Sequence, residues 1–297
     1  MIALLRFRDP EHGVRIGVRL DEAVHDVTDS TPTLGHWLRA SAGRMHEALV
    51  ELEAAARTSG PCCDFSDLLG PPSAHARYLL AAVDEQDVWA AGVTYARSRD
   101  ARQEEAVDGG DVYSRVYAAE RPELFFKAQG RWVVGPWAAV GIRRDSAWNV
   151  PEPELTLVLN PALEVVGMTI GNDMSSRDIE GANPLYLPQA KVYTASCALG
   201  PQWVLGPLDS WPQVEIRIAI ERVGRTVVQD QVATSRIHRR VGELVEHLGR
   251  CMRFDDGVLL MSGTGIVPAP DFSLQAGDVV TIEIDGIGTL TNPVEVV

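Results

Sequence analysis

The chain has 297 residues, 45% hydrophobic and 23% charged, enough for one large domain, or one with a smaller companion, around a sizeable core. Forty-one acidic against 27 basic residues leave a formal charge of −14, which argues against nucleic acid or an anionic membrane as partner. The opening "MIALLRFRDPEHG" has too short an apolar run for a signal peptide, and no stretch approaches a membrane span, so the expected location is the cytoplasm.

Residues 1–28 alternate in short pieces ("IALLRF", "VRIGVRL", "EAVHDV"), the pattern of a small antiparallel meander. Residues 33–58 have helical spacing and an Ala/Leu/Glu-rich composition. A Gly-, Pro- and Ser-rich stretch near 59–78 reads as a linker, dividing a small α+β N-terminal domain (1–75) from a larger, mostly β domain (76–297). Cys62, Cys63, Cys197 and Cys251 contain no CxxC pair and are expected to be reduced structural thiols. Beyond the linker, "VWAAGVTY" (88–95) predicts a strand running into a loop, and 98–119 a helix interrupted by "DGGD" (108–111). Strand-like segments follow at 124–174, 202–206, 213–231 and 279–296, with one helix over 235–254 whose Val241, Leu244, Val245 and Leu248 form an apolar stripe. Mostly β with turns every eight to twelve residues points to a sandwich or rolled barrel.

Chemistry concentrates in "NVPEPELTLVLN" (149–160). Glu152 and Glu154 lie two apart at the front of a buried strand, so an extended chain points both to one face. Paired like charges there are costly unless a cation takes them; solvent-facing residues of an edge strand are the alternative. Asn160-Pro161 is a turn signal, and "EVVGMTIGND" reads as the return strand. With Leu159 opposite Glu164, Glu154 would face Thr169, Glu152 would face Gly171, and Asp173 would be the diagonal neighbour of Glu152. No histidine lies between His75 and His238, so an all-oxygen site is expected, suited to Mg²⁺ with Mn²⁺ or Ca²⁺ as other occupants.

The segment "GNDMSSRDIEGANPLYLPQAKVY" (171–193), with "PEPEL", "RPELFFKA" (121–128) and "LLMSGTGIVP" (259–268), resembles the fumarylacetoacetate hydrolase superfamily over roughly residues 88–297. The resemblance implies a mixed β-roll/barrel catalytic domain behind the smaller N-terminal one, and a homodimer or homotetramer. It implies metal ligation by Glu152, Glu154 and Asp173, a substrate-pocket arginine at Arg177, an active-site lysine at Lys191, and Thr264 on the substrate carboxylate beside Gly263. Hydrolases of the superfamily carry a water-activating histidine in G-x-N-Y-x-x-H; here "GVTYARSRD" has Ser98 in its place, and Ala91 stands about where a fourth acidic ligand would be. The nearer likeness is to the 2-keto-3-deoxy-D-arabinonate dehydratase branch, at "VYAAERPELFFKA", "SAWNVPEPEL" and "GTGIVP".

That likeness implies a small 2-keto acid substrate whose ketone a metal polarises, with Lys191 and Glu123 as candidates for the proton transfers and Ser98 lining the pocket. A lysine near a metal is expected to titrate close to neutrality. Residues 100–120 are the expected lid, and Lys127, Tyr186 and Tyr193 are read as packing. An acylpyruvate-type hydrolase, a keto-acid decarboxylase or isomerase, and a catalytically idle metal-binding relative are the competing readings.

Overall fold

The computed structural model describes residues 1–105 and 111–297. Among them, two sheets of eleven and five strands dominate. The order across the larger sheet runs Pro61–Asp64, Ala23–Asp26, Gly13–Leu20, Ile2–Asp9, Cys197–Leu205, Val165–Asp173, Pro153–Leu159, Val258–Met261, Asp87–Gly92, Glu123–Gln129, with Tyr78–Leu79 beside Ile2–Asp9. This is an open mixed sheet rather than a closed barrel: the first and last strands lie at opposite ends of the path. The N-terminal meander is continuous with the rest, since Ala3 pairs with Val204 and Leu4 with Trp203. The segments on either side of the residue-75 boundary therefore share one sheet.

The central hairpin is apolar on both faces because both are covered. On one face Val158, Val166, Leu199 and Leu259 pack against Leu34, Trp37, Leu38 and Leu52 of the helices Leu34–Ser41 and Met45–Ser59. On the other, Leu155 and Ile170 pack against Ile216, Ile218, Ile282 and Leu290 of the five-stranded sheet. Each such side chain contributes about 1.5–3 kcal/mol when fully buried. Glu152 and Glu154 thus begin a central strand, and the edge-strand alternative is excluded.

The hairpin register differs from the expected one by two residues, in two single steps. The Asn160 carboxamide accepts the backbone N–H groups of Ala162 and Glu164, closing a turn in which Asn160 rather than Leu159 bonds Glu164, and Leu163 takes φ +61. A bulge between Val158 and Leu159 adds the second step. Glu154 therefore faces Gly171 instead of Thr169. One step alone would have turned the carboxylates to the other face; two restore it.

Other boundaries also move. The helix expected over 235–254 spans Val241–Gly249, because residues just before it are held in extended or 3₁₀ form: the His238 N–H bonds the Thr94 carbonyl and the Trp211 indole bonds the Arg239 carbonyl. Residues 98–119 form helices Ala96–Glu105 and Asp111–Ala118, and most of the "DGGD" interruption lies outside the described residues. All four cysteines are free thiols. Among the described residues no helix is long and apolar enough to cross a membrane.

Candidate metal centre and active site

One rim of the large sheet collects the chemistry. Strands Val165–Asp173, Val258–Met261 and Asp87–Gly92 end there, while Pro153–Leu159, Cys197–Leu205 and Glu123–Gln129 begin there. Residues at those strand ends, with others from adjoining helices, surround a small cavity walled by Gly92, Ser98, Arg102, Glu123, Phe125, Glu152, Glu154, Asp173, Glu180, Lys191, Gly263 and Thr264, among others.

At its floor one carboxylate oxygen each from Glu152, Glu154 and Asp173 lies within 4.8 Å of the others, and all three side chains are buried. The Asp173 N–H bonds the Glu152 carbonyl at 3.0 Å, so these two stand directly opposite in the ladder, with Glu154 one pleat further on the same face. Asp173 is held by two ammonium groups: Lys127 Nζ lies 2.5 Å from Oδ1 and Lys191 Nζ 2.8 Å from Oδ2. Burial opposes its charge, but Lys127 and Lys191 outweigh burial and keep the carboxyl below its ordinary range. Glu152 meets Lys191 at 2.8 Å, Arg102 at 2.6 Å and Arg177 at 2.8 Å. Glu154 accepts the Gly263 N–H at 2.6 Å. Burial, then repulsion from Asp173 and Glu152, pushes the Glu154 carboxyl well above its usual range. A buried carboxylate short of positive charge beside two others is a donor set that fits a hard divalent cation.

Two glycines let this packing occur. Gly263 has φ +84, and a Cβ there would meet the Thr94 hydroxyl and the Ala91 carbonyl. At Gly92 a Cβ would occupy the place of the Glu123 carboxylate, which lies against the bare strand. Burial, then the nearby Glu180, raises the Glu123 carboxyl to about 7.

The structure brings Lys191, Glu123, Ser98, Thr264 and Gly263 to the cavity with the three carboxylates. Their bonding corrects several expectations. Burial opposes the Lys191 charge, but Asp173 and Glu152 prevail and hold the ammonium above the ordinary lysine range instead of near neutrality. Arg177 is buried behind Glu152 and is not part of the cavity wall. The Gly263 N–H is given to Glu154 rather than presented to an anion. Thr264 faces the cavity, while its hydroxyl also accepts the Ile266 N–H at 3.1 Å. The Ser98 hydroxyl, in the first turn of the helix Ala96–Glu105, donates to the Tyr95 carbonyl at 2.8 Å.

Three contributors escaped the sequence reading, each with a periodic signal. Lys127 is fully buried on Asp173 instead of serving as packing; it lies four residues after Glu123 on a strand, hence on the same face, at a bulge where Phe126 pairs with Trp89 and Ala128 with Val88. Arg102 lies one helical turn after Ser98, and Glu180 three residues after Arg177. Arg102 bridges Glu152 and Glu180.

Residues 87–295 match the family model described as fumarylacetoacetate (FAA) hydrolase C-terminal. The chain belongs to the fumarylacetoacetate hydrolase family. A relative from Haloferax volcanii named "Probable 2-keto-3-deoxyxylonate dehydratase" is 48% identical over 223 residues, 74% of this chain and 76% of that one. The 2-dehydro-3-deoxy-D-arabinonate dehydratase of Saccharolobus solfataricus is 39% identical over 236 residues, 78% of this chain and 79% of its own length. A solved 2-keto-3-deoxy-D-arabinonate dehydratase, complexed with magnesium and 2,5-dioxopentanoate, superposes with a TM-score of 0.81 at 30% identity and 99% coverage of both chains.

Proposed function

We propose that this member of the fumarylacetoacetate hydrolase family is a magnesium-dependent hydro-lyase that converts 2-keto-3-deoxy-D-arabinonate to 2,5-dioxopentanoate. The observation that carries the reading is the cavity wall, where three carboxylates suited to one cation face Lys191 and Glu123, while position 98 offers only a hydroxyl. The relatives' names support it, and in the D series they describe one compound. Xylonate and arabinonate differ at C2 and C3, which become the ketone and the methylene.

Magnesium held by Glu152, Glu154 and Asp173 would polarise the ketone and acidify C3. Lys191 and Glu123 divide the proton transfers: one removes a C3 proton, and the other protonates the C4 hydroxyl as it leaves. The resulting 5-hydroxy enone rearranges by passing a C5 proton to C3, and its C4–C5 enol tautomerises to the terminal aldehyde. Lys127 and Arg177 keep the floor carboxylates in place against their mutual repulsion. Ser98, bonded to Tyr95, is not a base that could generate hydroxide for hydrolysis.

The test offers the magnesium-loaded protein 2-keto-3-deoxy-D-arabinonate and an acylpyruvate in parallel. The expected product is 2,5-dioxopentanoate. Pyruvate from the acylpyruvate, with the sugar acid untouched, would replace the dehydratase reading with a hydrolase. We also propose a homodimer or homotetramer acting in the cytoplasm. Light scattering at micromolar concentration should return a multiple of 32.4 kDa, and a mass equal to it removes that part.

A further inference from the structure

The wall beside the metal floor holds an ion pair that the proposed chemistry does not use. Arg102 Nη1 lies 3.3 Å from Glu180 Oε2, and both side chains are more than nine-tenths buried and face the cavity. Beyond that long ion pair, Glu180 Oε2 has no partner in hydrogen-bond geometry among the described residues, although its residue is only 6% exposed. A buried carboxylate oxygen without a well-aligned donor marks a place where a further group can donate. Arg102 also reaches Glu152 Oε1 at 2.6 Å, so this wall stands one guanidinium width from the floor.

We infer that Glu180 and Arg102 form a subsite for the terminal hydroxyl of the substrate, with the hydroxyl donating to Glu180 and accepting from Arg102. This rests on the dehydratase reading for the identity of the substrate. Lys191 and Glu123, which the dehydratase reading assigns to C3 and C4, share the cavity wall with Arg102 and Glu180, which are thereby left for the next carbon. Two features make a neutral hydroxyl the fitting end group. Glu180 already balances Arg102, so this wall offers no net positive charge to a second carboxylate, which disfavours dicarboxylic keto acids. Beyond the same two glutamates lies a second, largely apolar cavity lined by Val112, Tyr113, Val116, Leu124 and Leu187, so the wall is where polar partners for a substrate end. A methyl in place of the hydroxyl would leave Glu180 Oε2 with only its long contact to Arg102, the kind of under-bonded polar group that lets a site reject an analogue lacking the group it bonds.

The test uses two ligands that lack a C4 leaving group and so cannot be dehydrated: 5-hydroxy-2-oxopentanoate and 2-oxopentanoate. They differ only in the terminal hydroxyl. Their dissociation constants are measured by calorimetry on the intact protein in saturating magnesium chloride, for wild type, Glu180→Gln and Arg102→Lys. Wild type should prefer the hydroxylated ligand by roughly 10–150-fold, the span of one or two hydrogen bonds to charged groups. Each variant should compress that ratio at least about tenfold. Equal affinities in wild type, or an unchanged ratio in a folded variant, overturn the subsite. A purely structural Glu180–Arg102 pair would weaken both ligands in parallel and leave the ratio unchanged. If either variant fails to fold, the other still decides. Because no turnover is required, discrimination without dehydration of the sugar acid would refute the reaction and leave the subsite standing.

Discussion

Glu123→Gln should stabilise the magnesium-free protein, and by an amount that depends on pH. An unfolded glutamate titrates near 4.5, whereas in the cavity burial, then Glu180, raises Glu123 to about 7. The folded state thus holds the proton more tightly. Below pH 4.5 both states are protonated and the group adds no penalty. From 4.5 to 7 the unfolded chain ionises while the folded carboxyl stays neutral, so wild type loses stability as pH rises, and above 7 the loss is complete. The difference corresponds to about 3 kcal/mol, an order of magnitude. Glutamine is similar in size, does not titrate, and escapes this loss. Thermal unfolding of wild type and Glu123→Gln in chelator, from pH 4 to 8.5, should give curves that coincide within about a degree at pH 4. They should separate through pH 7, with the variant several degrees higher, and then run parallel. A separation independent of pH, or one that shrinks as pH rises, would refute the assignment of a strained, buried carboxylate.

In magnesium, Glu123→Gln and Lys191→Ala should each lower dehydration by about 10²–10⁴-fold, the usual contribution of a general acid or base, while calorimetry still detects magnesium. Ser98→Ala should cost under roughly tenfold, since its hydroxyl serves the Tyr95 carbonyl; a loss as large as that of Lys191→Ala in steady-state assays would give serine a role in proton transfer. Glu152→Ala, Glu154→Ala and Asp173→Ala should each abolish magnesium-dependent activity, and unchanged magnesium binding in any of them removes that residue from the ligand set. Lys127→Met should destabilise by about 3–5 kcal/mol in denaturant titration, because it strips a buried carboxylate of one of two ammonium partners. A change under about 1 kcal/mol would show that Lys191 alone suffices.

What the sequence by itself determined follows from local period. Glu152 and Glu154 are two apart on a strand, which forces them to one face whatever they pair with. The apolar run behind them had to be buried, and Asp173 closes a return strand of matching length. The absence of histidine and cysteine along that stretch limited the donor chemistry to oxygen. Tertiary structure decided everything that required knowing which strand ends meet. Pro153–Leu159 pairs with Val258–Met261, which runs parallel to Asp87–Gly92, and only that order brings Gly263, Gly92 and Glu123 to the carboxylates. The register turned on an Asn160 turn and a bulge, two local choices that a hydrophobic pattern does not encode. Lys127 reads as packing in the sequence, because a lone cation on a strand does not reveal which carboxylate it will meet. Asp173 lies 46 residues away in sequence and 2.5 Å away in the fold, and burial of that pair makes the lysine part of the site.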